Sequence, residues 1–438
     1  MRHFLFIFCL FTLSCFSWAA DLDYHGYLRT PVGMNQQSGK EVTINNPGSS
    51  GNEFRLGNET PYAEATFVAD FIHRDKNQKK SSEFFNSTLT FAFSPPFNSQ
   101  YGDTSSNGDY IQVVEAYIAG GFVEGFPASV WAGKRFYREP QIHMNDFYYF
   151  GDMSGAGGGV ENIALGSGTL AVALLQYSNR SVTNSMTGTP SKQALDVRWK
   201  EVAFGSSDFF EFWIAEAYSG PGSGLDSTPS PVSYSASTGT ALGVKWRHQL
   251  VDGNNEAAII YGTGIMENLS LNSDAYSTTS GNGNLTNTNH SRFVESFVEE
   301  LGPKYAVQAV LIADFLNRSS GTNSRWLSAG VRPVYYFSDH FHLNAQLGYS
   351  VVTDSSETIT GGAAAGDRAL LRATISPELA IGHGVYNRPV IRAYLSQTSW
   401  NSANGDLSNK GSLVYNSDSS LRGQLNQTEI GFEGEVWF

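Results

Sequence analysis

Thiols are almost absent from this 438-residue chain: its two cysteines, Cys9 and Cys15, both fall within the first twenty residues. The rest can build neither a disulfide framework nor a Cys-ligated metal site, even in an oxidising compartment. Long apolar runs are also missing after residue 20, so nothing approaches the roughly twenty apolar residues of a membrane helix. A chain of this kind enters a membrane only as strands. Basic charge is scarce too: 28 Lys and Arg stand against 41 Asp and Glu, a net charge of −13. That argues against nucleic acid as a partner, because phosphate binding wants a basic face. No H-x-x-x-H, H-E-x-x-H or G-x-S-x-G pattern occurs, and "DGNNE" lacks the spacing of a Ca²⁺ loop. We expect no cofactor, no metal and no enzymatic activity.

What is present is glycine, 45 residues of it, and an aromatic content of 13%. Residues 1–20, "MRHFLFIFCLFTLSCFSWAA", combine an early Arg, an apolar run from Phe4 to Phe16 and small residues, and are expected to be a secretory signal peptide cleaved near Ala19 or Ala20. Cys15 does not make a lipobox, since Thr12 stands where Leu is wanted. Residues 21–438 are expected to form one domain.

The period of that domain is two. In "QTEIGFEGEVWF", Ile430, Phe432, Val436 and Phe438 share one face, while Glu429, Glu433, Glu435 and Trp437 share the other. "YAEATFVADF", "ALGVKWRHQL", "HFHLNAQLGYSVV" and "RPVIRAYLSQTSW" keep the same rhythm over about ten residues each, between Gly, Asn, Ser or Asp breaks. A soluble β-sandwich alternates as well, but these strands are long, carry Tyr and Phe near their ends, and hold charges such as Arg392, Glu433 and Glu435 in mid-strand. The pattern predicts an antiparallel outer-membrane β-barrel with an apolar outside and a polar lumen. Long polar tracts such as "LNSDAYSTTSGNGNLTNTNHSR" read as extracellular loops, whereas "VDGNN", "FSDH" and "HGVYN" read as periplasmic turns.

Several longer stretches, "HGYLR", "FRLGNETPYAEATF", "WAGKRFYREPQIHMNDFYYF", "VENIALGSGTLAVAL", "GVRPVYYF", "NRPVIRAYLSQTSW" and "GEVWF", occur in the order of the maltoporin family of sugar-specific porins, which the chain resembles from about Asp21 to Phe438. The resemblance implies an all-β, 18-stranded antiparallel transmembrane barrel with an inward-folded constriction loop. It also implies a homotrimer in outer-membrane lipid, an oligosaccharide substrate and a periplasmic sugar-binding protein as a possible partner.

Carried over motif by motif, the family's aromatic slide falls on Tyr27, Tyr62, Tyr386 and Trp437, with Tyr148 at the constriction and Tyr101, or else Phe97, reaching a neighbouring subunit. Parity supports the slide independently, since Trp437 lies on the polar face of its strand. The polar track falls on Arg29, Arg55, Glu64, Asp146 and Asp152. Aromatic planes hold the C–H faces of a sugar ring by dispersion, and charged side chains exchange hydrogen bonds with its hydroxyl rim.

Three positions depart from the family pattern. Val114 and Glu139 stand where the family carries cations, although Arg138 could turn inward in place of the latter, and Ala257 stands where a slide aromatic is expected. The departures put maltodextrin specificity in question and leave open β-glucosides, sucrose, chitooligosaccharides or general diffusion, with phage reception by the long loops as a separate role. The dense stretch from Trp131 to Gly155 then divides into a strand, "WAGKRFY", and a loop beginning at Pro140 that narrows the pore, with His143 as a structural residue.

Overall fold

A computed structural model describes residues 20–72, 83–93, 111–139, 141–177, 191–225, 231–271, 287–318, 321–416 and 421–438. Eighteen strands form one sheet, from the short Ser129–Arg135 to the long Asp21–Asn35. The first strand closes the sheet: Asp21–Asn35 pairs antiparallel with Tyr62–Ile72, Arg29 opposite Tyr62, and with Asn426–Trp437, Tyr27 opposite Trp437. A closed antiparallel barrel leaves no unpaired edge, the condition for crossing a lipid layer with strands.

The two-residue period sets which way each side chain faces. On the last strand Ile430 and Phe432 are 56% and 66% exposed on the outside, while Glu433 and Glu435, one residue along, are 1% exposed inside. Aromatic contacts between Tyr305 and Tyr335, 5.2 Å, and between Tyr335 and Phe337, 4.7 Å, gather near the short-turn end, where amphipathic rings suit a membrane interface.

The interior is a packed core at the long-loop end. Residues 136–139 and 141–154 fold inward, burying Tyr137, Ile142, Met144, Phe147, Tyr149, Phe150 and Met153 against small wall residues such as Ala215, Ala241 and Ala258. Gly243 makes room for this loop, since a Cβ there would stand 2.9 Å from the Phe150 ring. Gly151, at φ +58 in the loop itself, presses on Trp213, 2.9 Å from where its Cβ would be. A left-handed conformation and a close approach both ask for glycine there.

A second inward segment accompanies the first. Within residues 36–61, Phe54 is fully buried and fills the space over Gly330 and Gly348, where a Cβ on Gly330 would lie 2.7 Å from its ring. Arg372 donates to the carbonyls of Ile44 and Glu53 at 2.6 and 2.9 Å. The Arg55 amide donates to the Met144 carbonyl at 2.9 Å, which ties the two inward loops together.

Candidate functional site

The seam between the first and last strands carries a ladder of rings. Tyr62 and Tyr27 have centroids 6.2 Å apart, and Tyr27 and Trp437 are 6.3 Å apart with planes inclined by 24°. Strand pairing brings them together, since Tyr27 is opposite Trp437 on one side and Glu64 on the other. The Arg388 guanidinium lies 4.8 Å from the Trp437 ring. Tyr386 stands apart from this stack, in the turn between Arg368–Ala380 and Val390–Trp400, edge-on to His143 at 5.5 Å.

Beside the rings runs a chain of charges. Arg29 binds Asp146 at 2.7 Å and Glu59 at 3.1 Å, and its guanidinium is 5.4 Å from the Tyr62 ring. Burial pushes the Asp146 carboxyl up, but Arg55 and Arg29 outweigh it and hold the group below the usual carboxylate range. Tyr62 donates its hydroxyl to Glu64. Tyr27 donates to Glu435 at 3.0 Å and accepts from Arg55 at 3.0 Å, while Arg55 itself is buried and also pairs with Glu59 and Glu435. Arg55 therefore lies behind the ring ladder and fixes the Tyr27 hydroxyl.

The constriction loop adds the opposite side. Tyr148 is half-buried beneath the Arg138 guanidinium, 3.6 Å from its ring centroid. Burial pushes its phenol up, against the pull of Arg138, with Asp146, Glu64 and Asp152 all acting on it electrostatically. Asp152 is held by backbone amides: its carboxylate accepts from the Ser154 amide of its own loop at 3.0 Å, and its carbonyl accepts from the Leu271 amide at 3.0 Å. His143 is wedged between Arg332 and Arg388 at 3.4 and 3.2 Å. Burial first, then Arg55, lowers it to about 3, so the ring is neutral at physiological pH.

Glu139 turns to the barrel wall, where its carboxylate meets Lys200 at 2.7 Å, Lys245 at 3.2 Å and Arg198 at 3.5 Å. One expectation is corrected, since Ala257 is not a lumen position: it has the parity of Ile259 and Tyr261, 65% and 43% exposed on the outside, while Glu256 faces in and accepts from the Tyr149 hydroxyl at 3.4 Å. Val114 falls at a register shift, where Glu115 opposes Thr90 and Val113 opposes Phe91. Tyr101, Phe97 and Pro140 lie outside the described residues.

Sequence reasoning did not single out Glu59, Glu435, Arg388 and Arg392 as site residues. Arg388 and Arg392 bind Glu435 at 2.7 and 3.1 Å, and Arg392 binds Glu433 at 2.6 Å. Their polar-face parity was the available signal. Glu59 had none, since it lies in a loop without a period.

Inward loops pack into the lumen, and rings and paired charges line one seam of it. A family model described as LamB porin matches residues 22–438. The chain belongs to the LamB porin family. Among solved structures, OccK2 (OpdF) of Pseudomonas aeruginosa is similar at 10% identity and a TM-score of 0.48, over 95% of this chain and 98% of that one. The outer membrane protein opdK of the same organism is similar at 11% and 0.45, over 95% and 99%. An anion-selective porin from Comamonas acidovorans is similar at 10% and 0.44, over 95% and 100%. As a LamB porin the protein is a bacterial outer-membrane channel, and its apolar outer face meets lipid.

Proposed function

We propose that this LamB porin is a carbohydrate-selective channel for passive diffusion of maltose- and maltodextrin-type oligosaccharides. The observation that carries the reading is the ring ladder Tyr62, Tyr27, Trp437, with successive centroids 6.2 and 6.3 Å apart beside Arg29, Asp146 and Glu435. A glucose unit of a chain has one apolar face and a rim of hydroxyls. Rings spaced along a wall bind successive faces, each on the order of 1 kcal/mol, and paired charges exchange hydrogen bonds with the rim. Individually weak sites in series let a solute enter and leave, which conduction requires. Tyr386 extends the track beyond Trp437, and Tyr148 with Asp146 and Asp152 forms its narrowest part.

The protein works as a homotrimer in outer-membrane lipid, one channel per subunit, and passes its solute to a periplasmic sugar-binding protein. The test is a panel of linear oligosaccharides on channels reconstituted in planar bilayers: α-glucans, β-glucosides, sucrose and chitooligosaccharides. Strongest current block by α-glucans supports the proposal. Strongest block by another class keeps the slide and changes the sugar, and current indifferent to every sugar makes the channel a general diffusion porin.

A further inference from the structure

At the root of the constriction loop, successive side chains face opposite ways. Tyr137 and Glu139 turn to the wall: the Arg198 guanidinium is 4.7 Å from the Tyr137 ring, and Glu139 meets Lys200, Lys245 and Arg198 at 2.7, 3.2 and 3.5 Å. Phe136 and Arg138 turn the other way, the Arg138 guanidinium lying 4.0 Å from the Phe136 ring and 3.6 Å from the Tyr148 ring. The wall cations stand on two strands, Lys192–Phe204 and Ser237–Gln249. Arg198 also donates to the Gly151 carbonyl at 2.6 Å, so one guanidinium touches both ends of the loop.

The geometry points to Glu139 as a positioning residue: it latches the root of the constriction loop to two wall strands and so presents Arg138, stacked on Tyr148, as the specificity-determining cation of the pore. An extended segment alternates its side chains, so fixing Glu139 outward fixes Arg138 inward. Burial pushes the Glu139 carboxyl up, but Lys245, Lys200 and Arg198 outweigh it and hold the group well below the carboxylate range, so the latch is charged at any physiological pH. The wall in turn needs Glu139, because removing one partner of a buried ion cluster leaves charge uncompensated. Arg138 replaces by register what Glu139 removes by identity. This deepens the sugar-channel proposal for the same site, but the latch itself requires only an open channel.

Two variants separate a latch from a simple change of local charge. Glu139→Gln removes a negative charge, and the double variant Lys200→Gln with Lys245→Gln removes positive ones. Single-channel noise, reversal potential in a KCl gradient and block by maltohexaose are read for both, after oligomer assembly is checked. A latch predicts that both variants raise open-channel noise and both weaken the block, by about threefold, because both free the same loop. Noise and block that move in opposite directions, or that do not move, overturn the inference. Glu139→Asp keeps the charge and should stay closer to the parent than Glu139→Gln; it carries the test if Glu139→Gln does not assemble, and a larger effect of Asp than of the lysine pair would also overturn the latch. If no sugar blocks the parent channel, the sugar proposal fails, and noise alone decides the latch.

Discussion

Tyr27 and Trp437 face each other across the seam that closes the barrel, paired in strand register and with ring centroids 6.3 Å apart. The first and last strands of the chain thus contribute neighbouring steps of one aromatic surface, and the surface exists only when the barrel is closed. Trp437→Ala removes one step. With a ring contact on the order of 1 kcal/mol, maltohexaose block should weaken about fivefold. The ion conductance should be kept or should rise slightly, as read from single-channel recordings.

Ala257→Phe should do the opposite of what a slide predicts. Because the position shares the outward parity of Ile259 and Tyr261, an added ring meets lipid, and block should stay within about twofold of the parent. A gain in sugar affinity would place the residue in the lumen.

Gly348→Ala tests the second inward segment. The Phe54 ring occupies the place of the new methyl group, and overpacking of this kind costs about 1–3 kcal/mol. Here the cost is relieved by lifting residues 36–61 off the wall. Single-channel conductance should increase and the thermal denaturation midpoint should fall, whereas unchanged conductance would mean that the segment does not narrow the pore.

Glu41 gives a pH dependence with a definite sign. Burial first, then the Glu429 carboxylate, raise it from 4.5 to about 7. A raised carboxyl favours the folded loop fully below the ordinary value, and this contribution is lost as pH rises through the folded value. The group is half-buried, so solvent screening keeps the effect small. Its negative charge therefore appears late, and cation preference in a KCl gradient should rise between about pH 6 and pH 8, on either side of that folded value. Glu41→Gln should flatten that step; a step of full size in the variant would assign it to another group.

Much of this was legible in the sequence, for a physical reason. A barrel wall imposes a strict period of two, so Ile430 and Glu433 declare their faces from sequence alone, and the lumen parity of Trp437 points to the slide. The inward loops obey no period. Phe54 fits over Gly330 and Gly348, partners almost three hundred residues away, and nothing local to "FRLGNE" announces that fit. The setting of Glu139 was hidden for the same reason, since its identity was visible but the cations that receive it, Lys200 and Lys245, stand on distant strands. Ala257 was misjudged differently: a motif alignment one residue out of phase exchanges the inside of a strand for the outside.

The account's central claim is that aromatic steps along the seam bind successive sugar units. The most direct measurement is current block of the reconstituted channel by a series from maltose to maltohexaose. The slide predicts a block constant that strengthens with each added glucose until the steps are filled, then levels off. Equal block at every length, or none, would contradict it.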